Sequence, residues 1–195
     1  MACETLCVQV FRSRSGRAIA LASVIIMTLA WFVILIGEGF AIALISLPGV
    51  ALIAMSSLLL FWFPRVEVSE ERVKIVNVFR EHNISWGAIK LIDTRWALAI
   101  TTEKGKITAW GAPAPGRHSS IFASRDQGQH LPESTYIAGT VRPGDLVSSD
   151  SGAAAAHIRR LWEQRRDQVA TVESKWSIGK IAAIIALVLT TALSL

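Results

Sequence analysis

Three long, almost uncharged apolar stretches limit what this chain can fold into. They cover residues 18–36, 39–63 and 178–195. Each is about 18 to 25 residues long, which is the length an α-helix needs to cross roughly 30 Å of hydrocarbon. The stretches therefore predict three transmembrane helices. They also account for a hydrophobic content of 52%, which is high for a soluble domain of this size.

The first two stretches are joined at a very short connection around Glu38, so they predict a helical hairpin. A cleaved secretory signal fits less well, because the first apolar run is longer than a signal core and a second run follows at once. Pro48 and Gly49 interrupt the second stretch. They predict a kink, and a discontinuous helix of the kind found in transporters is the alternative.

Basic residues flank all three stretches on one predicted side of the membrane, whereas the hairpin tip carries only Glu38. Basic flanks mark the cytoplasmic side of a span. We therefore expect a plasma (inner) membrane protein whose N-terminal tail, 1–17, and segment 64–174 are cytoplasmic. The hairpin tip and the C-terminal end would lie outside. The flanking residues are Arg12, Arg14, Arg17, Arg65, Lys175 and Lys180.

Between the second and third apolar stretches the pattern changes to short β-branched runs separated by polar turns. Residues 65–80 predict a β-hairpin, a strand follows with Ile84 and Trp86 on one face, and a second hairpin turns near Gly105. Residues 111–150 form a long polar stretch rich in Gly and Pro, with short strands predicted around Ser120 and Tyr136. An amphipathic helix then begins at Ser149, Asp150 or Ser151, and its apolar stripe comprises Ile158, Leu161, Trp162, Val169 and Val172.

The segment VFREHNISWGAIKLI, the later RPGDL at 142–146 and a closing helix with Trp162 together resemble the bacterial pleckstrin-homology-like domain. The resemblance covers residues 65–166 and is closest to the version in actinobacterial membrane proteins. It implies a bent antiparallel sheet capped by the C-terminal helix. The polar stretch 111–150 departs from it, because the usual connection between strands is shorter.

The predicted fold is thus a membrane protein of the α plus β class. An N-terminal helical hairpin, 18–63, precedes a cytoplasmic PH-like domain, 64–174, which is capped by an amphipathic helix. The C-terminal span, 175–195, follows.

The stretch GAPAPGRHSS has two glycines at the spacing of a phosphate-binding loop, Gly111 and Gly116. Arg117 stands where such a loop has lysine, and no helical pattern follows. Pro113 and Pro115 remove two of the backbone N–H groups that would hold a phosphate. We therefore predict a turn that leaves a hairpin.

No residue pattern predicts a catalytic, cofactor-binding or metal site. The four histidines, His82, His118, His130 and His157, have no metal-binding spacing. Cys3 and Cys7 lie in the predicted cytosolic tail without a second pair of ligands. Asp93, Asp145 and Asp150 are the carboxylates that could act as acids or bases. Asp145 is better explained as a turn residue and Asp150 as a helix cap. We expect a non-enzymatic protein without a small-molecule substrate.

Two sets of residues are candidate contacts. Four arginines share the polar face of the amphipathic helix, where they either face solvent, meet anionic lipid headgroups or dock an acidic partner subunit. Small residues in the second and third spans permit close approach of another helix. The net charge of +5 is too small to indicate nucleic-acid binding. The candidates are Arg159, Arg160, Arg165 and Arg166 in the first set and Ala43, Gly49, Ala182 and Ala186 in the second.

These features together predict an accessory membrane protein that docks onto a larger membrane complex. Three spans are few for a transport path, and the domain is of a binding type. Small actinobacterial proteins of this layout include accessory subunits of the cytochrome bcc-aa3 respiratory supercomplex. The resemblance thus implies that supercomplex as the partner, with a role in assembly or stability.

The alternative is a membrane-anchored module of the cell envelope that senses a lipid or a peptide. A third hypothesis is an enzyme or transporter subunit built around the break at Pro48.

Overall fold

A computed structural model describes residues 8–115, 146 and 149–194 of the chain. Along the chain, two apolar helices precede most of a β domain and a third apolar helix follows it. The elements are β1 (Gln9–Phe11), α1 (Arg14–Gly37), α2 (Phe40–Ser57) with a π-helical turn (Leu58–Trp62), β2 (Arg65–Val68), β3 (Arg72–Val76), β4 (Arg80–Ser85), a 3₁₀ turn (Trp86–Ala88), β5 (Leu91–Asp93), β6 (Ala97–Thr102), β7 (Gly105–Pro113), α3 (Asp150–Arg165), β8 (Val172–Trp176) and α4 (Ile178–Ser194).

The helical hairpin is present as predicted. The Ser13 hydroxyl caps α1 by accepting from the Gly16 amide at 3.1 Å, and Gly39 enters α2 with a φ of +85°, which suits glycine. By length and composition, Arg14–Gly37 and Phe40–Trp62 can each cross a membrane. Only 6% of each apolar window is buried inside the protein, unlike the core helix of a soluble domain. The third apolar helix, α4, is shorter than these two.

The three apolar helices pack together, with α2 in contact with both α1 and α4. The Trp31 indole donates to the Ala43 carbonyl at 2.9 Å. A Cβ atom at Gly49 would lie 3.7 Å from the Thr191 methyl group of α4. The helix continues through Pro48.

The β domain consists of two antiparallel sheets. The five-stranded sheet has the order β1-β2-β3-β4-β8, and the three-stranded sheet has the order β5-β6-β7. Strands β2 and β3 alternate between buried apolar residues and more exposed polar ones, which is the pattern of a sheet with one covered face. Strand β7 packs against β2 and β3, and helix α3 packs on the smaller sheet and the 3₁₀ turn. The core contains Val66, Val73, Ile75, Ile84, Trp86, Leu98, Ile100, Ala154 and Ile158.

The predicted hairpins and the Ser149 cap agree with the structure, because the Ser149 hydroxyl accepts from the Gly152 amide at 2.9 Å. The predicted apolar stripe of the last domain helix is too long. Helix α3 ends at Arg165, Val169 is 82% exposed, and Val172 belongs to β8. Asp150 is not the cap; its carboxylate accepts from the Arg14 amide at 3.2 Å.

Two strands were not predicted. β1 lies in what the sequence indicates as a cytoplasmic tail, and it pairs with β2, placing Gln9 opposite Val68. β8 lies across the predicted boundary at residue 175 and pairs with β4, so that Trp176 stands opposite Arg80. The last helix consequently starts at Ile178.

Several predictions lie outside the described residues. They concern Cys3, Cys7, His118, His130, the strands near Ser120 and Tyr136, and residues 142–145, which include Asp145. Of the stretch GAPAPGRHSS, Gly111 to Pro113 form the end of β7.

Candidate functional site

Three strands of the larger sheet run almost directly into the apolar helices. Arg12 and Ser13 connect β1 to α1, and Phe63 and Pro64 connect the π-helical turn to β2. Ser177 alone connects β8 to α4. We call this side of the domain the junction end. The opposite side, which contains the β2–β3 turn at 69–71 and the β6–β7 turn at 103–104, is the distal end.

Each of the three junctions carries a cation over an aromatic ring. The Arg17 guanidinium lies 4.7 Å from the centroid of the Trp62 ring. The Arg80 guanidinium lies 3.9 Å from the Trp176 ring, and the Lys180 ammonium lies 5.9 Å from the Phe63 ring. Such pairs stabilise by about 0.5–1 kcal/mol at exposed sites. The Arg17–Trp62 pair thus joins α1 to the extension of α2, and the Lys180–Phe63 pair joins α4 to the connection before β2. The Arg80–Trp176 pair joins β4 to β8 just before α4 begins.

Backbone contacts make the junction end close-packed. A Cβ atom at Gly111 would lie 2.6 Å from the Arg65 Cα, so β7 approaches the start of β2 only because residue 111 is glycine. The Asn77 side chain donates to the Thr108 carbonyl at 2.8 Å and accepts from the Trp110 amide at 3.0 Å. Glycine in the GAPAPGRHSS stretch thus serves close packing of strands.

The distal end carries a cleft of about 380 Å³ between β8 and the β6–β7 turn. The Lys104 ammonium donates to the Val172 carbonyl at 2.8 Å, and the Lys90 ammonium lies 3.0 Å from the Glu103 carboxylate. The cleft is therefore lined by positively and negatively charged side chains together with small apolar groups. Its lining residues are Gly87, Ala88, Lys90, Glu103, Lys104, Ala170, Thr171, Val172 and Glu173.

The four predicted arginines are spread along α3 and do not form one cluster. Arg165 donates to the Glu70 carbonyl at 3.0 Å and so holds the end of α3 against the β2–β3 turn. Arg159 reaches the Ile92 carbonyl at 3.4 Å, and Arg160 lies 3.3 Å from His157 Nδ1. Arg166 is exposed at the end of the helix. Because Arg165 and Arg166 lie at the distal end, they are far from the ends of the apolar helices.

The four predicted small residues divide into two pairs. Ala43 is fully buried and Gly49 faces Thr191, so both serve contacts among this chain's own helices. Ala182 and Ala186 are exposed on α4. Only the second pair leaves a surface open to another helix.

The titratable groups of the domain have structural partners. His82 Nδ1 lies 2.7 Å from the Ser174 hydroxyl, and burial together with the nearby Arg80 lowers the pKa of His82. Burial tends to raise the pKa of Asp93. Hydrogen bonds outweigh this effect and bring the pKa below its usual value, and the most important of them comes from the Lys106 ammonium at 2.8 Å. Across residues 8–115, 146 and 149–194, no group of three His, Cys, Asp or Glu side chains is arranged to hold a metal ion.

Sequence reasoning missed the exposed aromatic residues of the domain. Phe79, Trp96 and Trp110 all lie near the junction end, and Trp96 is 75% exposed. The available signal was the presence of two tryptophans, Trp96 and Trp110, outside the apolar stretches; Trp110 stands between Ala109 and Gly111, on the exposed face of β7.

A comparison with family models matches residues 63–161, about half of the chain, to the family described as the bacterial PH domain. No curated protein and no solved structure matches the chain significantly. The matched region begins at the junction between the π-helical turn and β2 and ends within α3.

Proposed function

Because the chain belongs to the bacterial PH domain family, we propose that it is a membrane-fixed binding module that docks onto a larger integral membrane complex. Domains of this kind commonly bind lipids or proteins. The proposal assigns the protein a non-enzymatic, accessory role in the assembly or stability of that complex.

One observation carries the proposal: the domain is joined to all three apolar helices through connections of one or two residues. A binding domain on a flexible linker can search a large volume, whereas short connections hold the domain in one orientation. The Lys180–Phe63 pair holds the start of α4 against the connection into β2, and the Arg80–Trp176 pair holds the end of β8 on β4, so both add to this restraint. Such a domain suits a partner that lies in the same membrane.

The proposed membrane arrangement has three spans. Two helices have sufficient length and apolar character. The third, α4, has 17 residues and is about 25 Å long, and a bilayer adapts to such a small mismatch by local thinning. The basic residues at the junction end favour the cytoplasmic side for the domain. They are Arg12, Arg14, Arg17, Arg65 and Lys180.

Two surfaces are the proposed partner contacts. The small residues Ala182 and Ala186 on α4 allow another transmembrane helix to approach closely. On α3, Arg160 and Arg166 are exposed, and they suit an acidic cytoplasmic face better than lipid because Arg166 lies at the distal end. The candidate complex is the actinobacterial cytochrome bcc-aa3 respiratory supercomplex, by the resemblance of layout.

The test is purification of a tagged chain in a mild detergent, followed by quantitative mass spectrometry. We expect stoichiometric recovery of the subunits of a membrane complex. The double variant A182L/A186L should lose them, because the added side chains fill the approach surface of α4. The matched control A30L enlarges an exposed alanine of α1 and should keep them. Recovery of the wild-type chain as a monomer, with no stoichiometric partner, contradicts the proposal.

The distal cleft favours a second function, that of a lipid or peptide sensor. Its lysines, Lys90 and Lys104, lie at the mouth of a cavity large enough for a headgroup or a short segment of chain. The full chain in neutral nanodiscs would be titrated with soluble short-chain phosphatidylglycerol. Saturable binding that K90A/K104A abolishes supports a lipid sensor, and absence of binding at physiological salt removes it.

A further inference from the structure

Besides Trp176 at the end of β8, three aromatic side chains of the domain are exposed at the junction end. Trp96 is 75% exposed, Trp110 is 57% exposed and Phe79 is 38% exposed. None of them belongs to the buried core cluster. Large exposed apolar groups that lie near one another mark a surface that meets something other than water. We call these three residues the aromatic rim.

Trp110 lies close to the place where the second apolar helix ends. Its neighbour Gly111 is packed against Pro64 and Arg65, and its own amide donates to Asn77 in the β3–β4 turn at 3.0 Å. The π-helical turn that extends α2 ends at Trp62, two residues before Pro64. Trp110 is therefore separated from the end of that helix by only a few residues of packed backbone.

Phe79 is equally close to the third apolar helix. Its carbonyl accepts from the Ser177 amide at 2.9 Å, and Ser177 directly precedes α4. The next residue, Arg80, stacks on Trp176. Phe79 thus lies at the level where α4 begins.

Trp96 belongs to the same end of the domain through the smaller sheet. Its carbonyl accepts from the Ala114 amide at 3.0 Å, and Ala97 pairs with Pro113. Pro113 is only two residues beyond Gly111, about 7 Å along an extended strand. The loop that carries Trp96 therefore lies beside the strand end that packs on the junction.

We propose that the aromatic rim inserts into the headgroup region of the bilayer and forms a second attachment of the domain to the membrane. This inference rests on the proposed insertion of the helices. Tryptophan favours the membrane interface because its ring is apolar while its N–H group remains hydrated. The occupant of the surface is therefore the lipid interface that surrounds the helix ends.

The charges around the rim fit the same occupant. Arg17 and Arg80 are exposed beside the helix ends, and each is held over an aromatic ring. Cations at this depth are attracted to the phosphates of an anionic leaflet. The same end of the domain thus offers aromatic groups for the interface and cations for the phosphates.

The two attachments act on different sheets. The larger sheet is tied to the apolar helices through β1, β2 and β8, whereas in the described residues no strand of the smaller sheet leads directly into an apolar helix. Trp96 and Trp110 belong to that smaller sheet and its loops. Insertion of the rim would fix the tilt of the domain, so that the distal cleft faces away from the lipid.

The test is tryptophan quenching of the full chain in nanodiscs of phosphatidylcholine and phosphatidylglycerol. A nitroxide on the lipid headgroup reports interfacial tryptophans, iodide reports tryptophans in water, and a nitroxide deep in the acyl chain reports Trp31 in α1. The wild type is compared with W96F/W110F, which keeps the aromatic volume. The matched control is W162F, because Trp162 packs on the domain core.

We expect W96F/W110F to lose headgroup-nitroxide quenching relative to the wild type, and iodide quenching to stay unchanged. The control W162F should leave headgroup-nitroxide quenching unchanged. The inference is overturned if W96F/W110F loses iodide quenching instead, since the rim then faces water, or if neither kind of quenching changes, since the rim then lies against protein. In that case, quenching by the deep nitroxide would still support insertion of the helices and the proposed function. Absence of deep quenching in the wild type contradicts both.

Discussion

The helical region and the β domain are both rich in apolar residues, but they bury them in opposite ways. In the domain, Val66, Ile75 and Trp86 are fully buried. In the helices, Val33 is 71% exposed and Ile36 is 84% exposed. Burial of apolar area is the main force that folds a domain in water. The domain therefore contains its own stabilising core, whereas the helices need lipid or another protein for theirs.

This contrast has a consequence for measurement. Substitutions at buried positions of the domain should change its free energy of unfolding, while equivalent substitutions on the outer helix faces should not. All unfolding free energies refer to the full chain in detergent, followed by the near-ultraviolet circular dichroism of the domain.

The largest effect is expected for Trp86→Ala. The indole is fully buried and donates to the Glu70 carbonyl at 2.9 Å, so its removal leaves a cavity and one hydrogen bond fewer on a carbonyl that Arg165 still contacts. We expect a loss of about 3–5 kcal/mol in the free energy of unfolding. Val33→Ala in α1 should change it by less than about 0.5 kcal/mol. Equal losses of unfolding free energy in Trp86→Ala and Val33→Ala would contradict the difference in burial between the domain and the helices.

The second effect concerns two glycines. A Cβ atom at Gly87 would collide with the Gln168 carbonyl, whereas one at Gly179 in α4 meets nothing within 4 Å. Gly87→Ala should destabilise the domain by about 1–3 kcal/mol, because backbone has to move. Gly179→Ala should be neutral or stabilise the helix by about 0.5–1 kcal/mol. A neutral Gly87→Ala would show that the 168–170 segment does not lie against the 3₁₀ turn.

The third effect concerns two helix caps. Ser149 and Ser13 each accept a hydrogen bond from the amide three residues later, at 2.9 Å and 3.1 Å. Ser149→Ala should lower the free energy of domain unfolding by about 1 kcal/mol. Ser13→Ala should instead speed hydrogen exchange in the first turn of α1 only. If Ser13→Ala also lowered the free energy of domain unfolding, the helical region and the β domain would unfold as one unit.

The smallest effect is a dependence on pH that belongs to the domain. Burial and Arg80 lower the pKa of His82 below 6.5, and burial with Arg160 lowers the pKa of His157 in the same direction. Because the folded state binds protons less readily, domain stability should fall as pH decreases from about 6.5. The helicity of the apolar helices, which contain no histidine, should stay constant. His82→Gln should flatten the pH profile, and an unchanged profile contradicts the assignment.

Local pattern was sufficient for elements whose partners are close in sequence. The alternation in Arg65–Val68 and Arg72–Val76 predicts a hairpin that three residues connect. Ser149 stands before a helical stripe and predicts the start of α3. The apolar stretches predict α1, α2 and α4 because their length and lack of charge need no tertiary information.

Local pattern was insufficient where a strand depends on a distant partner. β1 pairs with β2, and β8 pairs with β4 across the length of the domain. The spacing of Val172 fits the apolar stripe of a helix. In the structure Val172 stands opposite Ile84 of β4, and this pairing makes it part of a strand. For the same reason the sequence could not show that Ala43 is enclosed by its own hairpin, nor that Trp96 and Trp110 lie near the junction end.

The measurement that tests the central claim most directly is cysteine labelling of the full chain in intact cells. In a Cys3→Ser, Cys7→Ser background, a single cysteine replaces either Glu38 at the hairpin tip or the exposed Glu163 of α3. We predict that a membrane-impermeant maleimide labels E38C in intact cells and labels E163C only after permeabilisation. Labelling of E163C in intact cells would contradict a domain held at the cytoplasmic face by membrane-spanning helices.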